Sequence, residues 1–314
     1  MNNRSSPSIL TLSIAAVERD TGISKDTLRV WERRYDFPNP TRDAGGERAY
    51  PLDQVERLRV IKRLLDAGHR PGRIVRMPHE ALLQLAEAAG EPEATGQPDW
   101  DEAAVHEYLA LVRAHDLPTL RRQLQRDLAR VGLPRFLVGL LVPLNRAVGE
   151  AWLRGQMEVF EEHAFTELLQ TLVRQAIGAL PPLPEASPRV LLTTLPGEPH
   201  GLGLLMVEAL LCNEGASCVS LGVQTPVWDV VLAAGAYGCD VVAVGFSGCT
   251  NPNQTIEALQ ELRGKLPQST ALWVGGSAPV LQRRRIEGVQ TFDDLEAVPG
   301  AVADWRAARS GAAA

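Results

Sequence analysis

The sequence lacks the residue patterns that mark most enzymes and zinc proteins. No nucleophile stands in a recognisable set with histidine and aspartate, and no glycine-rich loop ends in a phosphate-binding lysine. The four cysteines have no Cys-x-x-Cys or other zinc-binding spacing. We therefore predict a protein that is not an enzyme.

Long apolar segments are also missing. No run of eighteen apolar residues occurs, which argues against a membrane span, and residues 1–7 are polar and lack the apolar core of a secretory signal. The cysteines lie in or beside segments predicted to be buried, which is typical of reduced thiols. We expect a cytoplasmic protein without membrane contact.

The charge is unevenly distributed along the 314 residues, a length that allows two or three domains. Residues 1–78 contain 15 lysines and arginines against 10 acidic residues, and the remainder contains 17 against 28. A basic N-terminal part on an acidic body indicates that only the former meets a polyanion.

The basic part has the pattern of a winged helix-turn-helix. A short helix over 14–20 ends at Thr21-Gly22, and Ser24 is placed to cap a second helix over 25–35. The proline- and glycine-rich segment 37–50 predicts a β-hairpin wing, and a third helix is predicted over 53–65. In this motif the second helix enters the major groove of DNA.

Two stretches carry a family resemblance here. They are Thr27-Leu-Arg29-x-Trp31-Glu-Arg33-Arg34-Tyr35 and Arg42-x-x-x-Gly46-x-Arg48-x-Tyr50, and residues 11–78 are similar to the winged helix of the MerR family of transcription regulators. The resemblance implies binding to double-stranded operator DNA. The basic residues of the second helix are expected to contact the groove of the DNA, and those of the wing its phosphates. Trp31 is predicted to lie in the hydrophobic core. The candidate DNA-binding residues are Lys25, Arg29, Arg33, Arg42, Arg48 and Tyr50.

Three further segments follow residue 78. Residues 79–98 are predicted to be a linker, acidic and flexible over 91–98. Residues 99–181 predict a four-helix bundle with helices over 102–115, 117–131, 134–154 and 159–180. Residues 182–314 alternate strands with helices and predict an α/β doubly wound parallel sheet, with strands over 189–194, 218–221, 241–246, 272–274 and 289–292.

Ligating or small residues follow three of these strands. Glu198-Pro-His200-Gly-Leu-Gly203 comes after the first, Ser247-Gly-Cys249 after the third, and Gly275-Gly276 ends the fourth. Ligands of open α/β sheets bind at the carboxyl ends of strands, and a nearby carboxylate can fix the tautomer of a metal-binding imidazole. The alternative is that His200 caps a helix and the glycines serve tight turns.

This arrangement resembles the cobalamin-binding flavodoxin-like domain of methionine synthase, corrinoid proteins and some mutases. The resemblance implies that His200 is the lower axial ligand of cobalt, with the cofactor's nucleotide tail beside Ser247 and the pair Gly275-Gly276. Glu198 replaces the usual aspartate of the family pattern, and Cys249 replaces a leucine. A longer carboxylate can still partner the imidazole.

The bundle carries a signal of its own. Trp152 is followed, after nine residues, by Glu162-His163. This spacing and the order of the modules resemble CarH-type photoreceptors, in which a helical bundle covers the upper face of adenosylcobalamin. The resemblance implies that Trp152, Glu162 and His163 surround the upper ligand, where Phe160 also lies. Leu153 stands where family members have a histidine that can bind cobalt after illumination.

The leading hypothesis is therefore a light-responsive, cobalamin-dependent transcription regulator, by resemblance a repressor. It would bind DNA in the dark as a homo-oligomer, either dimer or tetramer, and separate in light. Two alternatives remain at this point. One is a MerR-type regulator with another or a light-independent ligand, such as a different cobalamin or a bilin. The other is a corrinoid-carrying methyltransferase component, against which the winged helix argues.

Overall fold

The chain divides into two compact units. The computed structural model describes residues 11–42, 45–66, 69–88, 100–181, 186–248 and 250–312. The first unit comprises Met1–Ala94 with Leu153–Gln156, and the second comprises Thr95–Trp152 with Met157–Ala314. The first has one hydrophobic cluster of its own, and the second has two.

The first unit contains the predicted winged helix-turn-helix. Gly22 ends the first helix in a left-handed conformation (φ 69°), and the Ser24 hydroxyl accepts the backbone N–H of Thr27 at the start of the second. The wing strands pair antiparallel, and a short strand that the sequence did not predict joins them. The elements are β1 Thr11–Ser13, α1 Ile14–Thr21, α2 Lys25–Tyr35, β2 Thr41–Arg42, β3 Arg48–Pro51, α3 Leu52–Asp66, α4 Pro71–Ile74 and α5 His79–Ala88.

Part of the predicted linker belongs to this unit. Helix α5 occupies residues assigned to the linker, and its Leu82 is fully buried in the cluster formed with α3. The prediction is therefore wrong for residues 79–88, because one apolar face of this segment has a partner helix. The acidic stretch over 91–98 lies outside the described residues.

The bundle forms the first part of the second unit. A five-residue π-helical turn, Leu137–Leu141, interrupts the third long helix of the bundle. The whole stretch Leu133–Leu153 is long and apolar enough to cross a membrane by length and composition alone. Its buried side chains, such as Leu140 and Leu144, supply the bundle core. The elements are α6 Glu102–Arg113, α7 Leu117–Val131, α8 Leu133–Phe136, α9 Val142–Leu153 and α10 Val159–Gly178.

A five-stranded parallel sheet forms the rest of this unit, in the order β5-β4-β6-β7-β8. This is the 2-1-3-4-5 order of flavodoxin-like folds. The elements are β4 Arg189–Thr193, α11 Leu202–Asn213, β5 Ser217–Ser220, α12 Val227–Ala236, β6 Val241–Phe246, α13 Pro252–Lys265, β7 Ala271–Gly276, α14 Pro279–Arg283, β8 Val289–Phe292 and α15 Ala297–Ala312.

Alternate strand residues pack on opposite faces of the sheet, as the pleat requires. Val190 and Val241 lie in a cluster that extends into the bundle, whereas Leu191 and Val242 pack against α12 and α13. The bundle and the sheet, assigned to separate segments by sequence, thus share one core. Strand order reverses between β4 and β6, so the loops after these two strands flank the crevice in which such folds bind ligands.

Candidate functional site

A buried glutamate and an exposed histidine lie together after β4. The backbone N–H of His200 donates to Oε1 of Glu198 over 2.9 Å, and the ring Nδ1 lies 2.6 Å from the same oxygen. The Glu198 side chain is almost fully buried, whereas 59% of the His200 side chain is exposed. The loop therefore holds an imidazole at the surface against a fixed carboxylate.

The loop after β6 contributes the second half of this arrangement. The Ser247 backbone N–H and hydroxyl both donate to Oε2 of Glu198, over 2.5 and 2.7 Å, and the hydroxyl oxygen lies 3.2 Å from Nδ1 of His200. Two loops that meet at the switch point are thus joined through one carboxylate. The prediction that a glutamate can partner this imidazole is confirmed.

The electrostatics of the pair determine the histidine tautomer. Burial alone would raise the pKa of Glu198, but hydrogen bonds from His200 and Ser247 outweigh it and leave the pKa below its ordinary value. The ionised carboxylate accepts the Nδ1 proton of His200, so the ring lone pair lies on Nε2. Neutral imidazole with its proton on the far nitrogen is the form that ligates metals.

Thr194 supports the loop and was missed by the sequence analysis. Its hydroxyl donates to the Glu198 carbonyl oxygen over 2.6 Å and accepts the backbone N–H of Gln224 over 2.8 Å. Thr194 is buried. Its only signal in the sequence is a polar residue at the end of an aliphatic strand. It connects the loops after β4 and β5.

The glycines near the site differ in their surroundings. A Cβ on Gly276, which has a φ of 118°, would lie 1.9 Å from the carbonyl oxygen of Phe246, and one on Gly275 would lie 3.4 Å from that of Phe292. The requirement for glycine at position 276 therefore arises within the fold, from the backbone of the neighbouring strand β6. At Gly203 an added Cβ would meet open space, so another molecule can approach there. Cys249 lies outside the described residues.

Replacing Gly276 by alanine should destabilise the sheet by at least about 2 kcal/mol, because the new methyl group overlaps backbone and the φ is strained. Gly264→Ala is the matched control: it lies in α13 with no atom within 4 Å of an added Cβ, and should gain up to about 1 kcal/mol. Thermal unfolding followed by circular dichroism compares the two. Equal midpoints would contradict the steric argument.

The predicted upper-face residues lie in the bundle. Trp152, near the end of α9, packs partly buried against the bundle core. Glu162 and His163 lie in the first turns of α10, where Nδ1 of His163 is 2.7 Å from Oε2 of Glu162 and the Thr166 hydroxyl donates to Oε1 over 2.7 Å. Phe160 is largely exposed. The Glu162-His163 pair is therefore already organised by α10 itself.

A second histidine, His115, lies in this region and was not predicted from the sequence. His115 lies in the turn between α6 and α7 with a φ of 57°, and its Nε2 is 2.7 Å from Oε1 of Glu161. Its ring centroid is 5.4 Å from that of Phe160. The turn could be predicted, but the partner lies 46 residues further along the chain.

The basic residues of the winged helix take different positions. On α2, Lys25 and Arg29 are ion-paired with Glu18 (3.3 Å) and Asp26 (3.0 Å), at sites open to solvent, and Arg33 is exposed. In the wing, Arg42 donates to the carbonyl oxygen of Gly46 over 2.6 Å. Cations thus line the exposed face of α2 and the tip of the wing.

The prediction that Tyr50 contacts DNA is wrong in this structure. Its ring is completely buried, and its hydroxyl donates to Oε1 of Glu32 over 2.7 Å. Burial, followed by that hydrogen bond, raises the pKa of Tyr50. Arg48 binds the same carboxylate through Nε over 2.9 Å. Both residues therefore attach β3 to α2 through Glu32.

Comparisons with known proteins agree with this architecture. Residues 12–79 match the family described as MerR HTH family regulatory protein, and residues 104–177 match the B12 binding domain. The chain is 28% identical to the HTH-type transcriptional repressor CarH of Myxococcus xanthus, over 89% of this chain and 95% of that protein. It is 29% identical to the repressor CarA of the same organism, over 96% and 98%.

Among solved structures, the monomethylamine corrinoid protein of Methanosarcina barkeri aligns with a TM-score of 0.48 and 15% identity, over 62% of this chain and 94% of that one.

A MerR winged helix joined to a B12-binding region defines a DNA-binding transcription regulator that binds cobalamin, and not an enzyme. Within that class, the chain is similar to the repressors CarH and CarA along nearly the full length of both.

The described residues fit a corrin at the switch point. His200 offers one imidazole in the ligating tautomer, which suits a metal whose other ligands come with a macrocycle. Gly203, on the first turn of α11, leaves open space beside it.

Proposed function

We propose that the chain is a light-responsive repressor that uses adenosylcobalamin as its chromophore and acts in the cytoplasm. His200 would bind cobalt through Nε2, while Glu198 and Ser247 hold the ring. The observation that carries this proposal is the buried, ionised Glu198 locking the imidazole at the switch point. A histidine that served only as a helix cap would not need this support.

Residues of the bundle would contact the upper ligand of the cobalamin. Trp152 would pack over the upper ligand, and Glu162 with His163 would hydrogen-bond it, as in the family that this segment resembles. When bound, adenosylcobalamin supplies a cobalt–carbon bond that light breaks. Because Leu153 has no ligating atom, the illuminated protein cannot take an axial ligand from that position.

Light would act on DNA binding through assembly. A single winged helix makes few phosphate contacts and binds weakly, whereas several linked copies bind one operator far more tightly without new contacts. We propose a dark oligomer, dimer or tetramer, that holds DNA and separates on illumination. The basic first 78 residues would supply each DNA contact.

A light-independent cobalamin regulator is the second candidate, and two residues favour it. Leu153 cannot ligate, and the ring of the exposed Phe160 lies 5.4 Å from that of His115, at a tilt of 47°, on the side where the upper ligand would lie. In that case, cobalamin binding alone would set the oligomeric state. Such a protein could accept cobalamins with other upper ligands.

Illumination of the purified chain loaded with adenosylcobalamin distinguishes the two candidates. We expect the absorption spectrum to change and the mass measured by light scattering to fall. The chain loaded with hydroxocobalamin, which has no cobalt–carbon bond, should show neither change. A spectral change at constant mass would contradict the light switch and support the second candidate.

A further inference from the structure

One short segment of the second unit concentrates exposed apolar side chains. Among the described residues, eight large hydrophobic side chains are exposed, and half of them lie between residues 223 and 237. They are Val223 (42% exposed), Trp228 (58%), Leu232 (54%) and Tyr237 (51%). Surface apolar residues are ordinary when scattered, but a cluster of this kind marks an interaction site.

The cluster is centred on helix α12, on the sheet face opposite the bundle. Val230 and Ala234 are buried and attach the helix to the sheet. Its outer stripe repeats at helical spacing, and Asp229 is the one charged residue of the helix. The stripe consists of Trp228, Asp229, Leu232, Gly235 and Ala236.

The composition of the stripe excludes two kinds of partner. DNA would meet a helix that carries a carboxylate and no lysine or arginine, beside the neighbouring cation Lys265 of α13, which lies 5.2 Å from the centre of the Trp228 ring. Amphipathic helices that lie on membranes have basic polar faces, and this helix has none. The remaining fit is an apolar protein surface.

The stripe is complementary to itself. Its large side chains are Trp228 in the first turn of the helix and Leu232 near the middle, and its small residues, Gly235 and Ala236, stand at the C-terminal end. In an antiparallel pair centred on Leu232, Trp228 of one helix faces Ala236 of the other, and Asp229 faces Gly235. No heavy atom lies within 4 Å of a Cβ added to Gly235, so that position is open to a partner.

We propose that α12 is an interface between two copies of this chain, paired antiparallel about a two-fold axis at Leu232. Isologous contacts of this kind are the commonest in soluble oligomers. The inference names a surface for the oligomer of the proposed function and rests on that oligomer. Two such helices would pack large residues over small ones at close interaxial distance.

The area of this stripe is too small for it to form the whole interface. A ten-residue helix is about 15 Å long, so its outer face covers on the order of 150 Å², against roughly 800 Å² per partner in a stable complex. Val223 and Tyr237 flank the helix and extend the apolar surface. Tryptophan and tyrosine, both present in this cluster, are enriched among the residues that carry most of the binding energy of an interface.

Sedimentation of the full chain loaded with adenosylcobalamin in the dark tests the inference. Leu232→Glu should raise the dissociation constant of the assembly at least tenfold. Leu52→Glu changes another exposed leucine in the same way and should leave the mass unchanged. Both variants should keep the wild-type cobalamin spectrum, because neither residue belongs to the proposed cofactor site.

Cysteine pairing tests the register independently. Leu232→Cys lies on the proposed axis, so two copies should form an intermolecular disulfide with glutathione disulfide, well above the wild-type background, whereas Leu52→Cys should not. A Leu232→Glu variant with wild-type mass, or equal pairing by the two cysteine variants, would overturn the interface and leave the proposed function standing. A Leu232→Glu variant that is less stable at unchanged mass would indicate that another part of the same chain covers the stripe, and would also overturn it. A wild-type chain that stays monomeric would remove both the interface and the proposed assembly.

Discussion

The His200→Ala variant is expected to lose most of its affinity for cobalamin and to show a different absorption spectrum when cofactor is forced on at high concentration. The variant removes the proposed axial nitrogen and leaves Glu198 without its imidazole partner. Loss of an outer partner of a metal ligand typically costs 10- to 100-fold in affinity, so loss of the ligand itself should cost at least 100-fold, about 2.7 kcal/mol. Titration of the full chain with cobalamin, followed by absorbance, measures both effects.

Two further variants grade the same contact. Glu198→Gln keeps the length of the side chain, but an NH2 group replaces one of the two carboxylate oxygens. The amide can therefore accept from His200 or from Ser247 but not from both, and we expect a 10- to 100-fold loss of cobalamin affinity. Ser247→Ala removes one hydroxyl donor and keeps that N–H, and should be milder. His106→Ala is the matched control, because His106 is an exposed histidine of the same compact unit whose Nδ1 lies 2.7 Å from the carbonyl oxygen of Glu102 in its own helix.

The order His200→Ala, Glu198→Gln, Ser247→Ala is the informative result. Equal, small losses for all three, no larger than that of His106→Ala, would show that cobalt is not bound through this imidazole. The winged helix and its DNA role would be unaffected by that outcome, because they rest on the first unit.

Local signals explain why some elements were predicted well. Helix α2 begins and ends at the predicted residues, since Ser24 caps its start and Gly22 separates it from α1. Strand β6 also agrees at both ends, because a buried parallel strand reads as one apolar run between polar turns. In both cases the residues that determine the boundary lie within the element or next to it.

Elements that depend on distant partners were not predictable in the same way. Strand β1 has three residues and exists because it pairs with β3, almost forty residues later. Helix α5 was assigned to a linker because its apolar face is buried by α3, a contact that the local sequence does not reveal. Tyr50 ended a basic wing and suggested DNA contact, but Glu32, eighteen residues earlier, holds its hydroxyl inside.

The candidate site shows the same division. The pairing of Glu198 with His200 could be predicted because only Pro199 separates them and the loop is short. Ser247 also donates to the Glu198 carboxylate, although the two residues are far apart in the sequence. They meet because the loops after β4 and β6 lie next to each other at the switch point of the sheet. The supporting role of Thr194 could not be predicted from the sequence, since its partners lie on two different loops.

Light is expected to weaken the binding of adenosylcobalamin-loaded protein to operator DNA by at least 100-fold. Linking binding modules raises avidity by 10² to 10⁴ without new contacts, and the proposed separation of the subunits would remove this gain. Each separated winged helix would retain its basic face but would make fewer phosphate contacts in total. Gel-shift titrations in the dark and after illumination, on a DNA fragment selected by the dark protein, measure the ratio.

Salt dependence identifies the cause of that change. The logarithm of the binding constant falls with the logarithm of salt concentration by about 0.9 for each phosphate neutralised, so the dark complex should show the steeper slope. Protein loaded with hydroxocobalamin should bind equally in dark and light. Equal slopes with different affinities would contradict loss of subunits, since the number of phosphate contacts would be unchanged. Equal affinities would contradict the light switch itself and leave a repressor that responds to cobalamin alone.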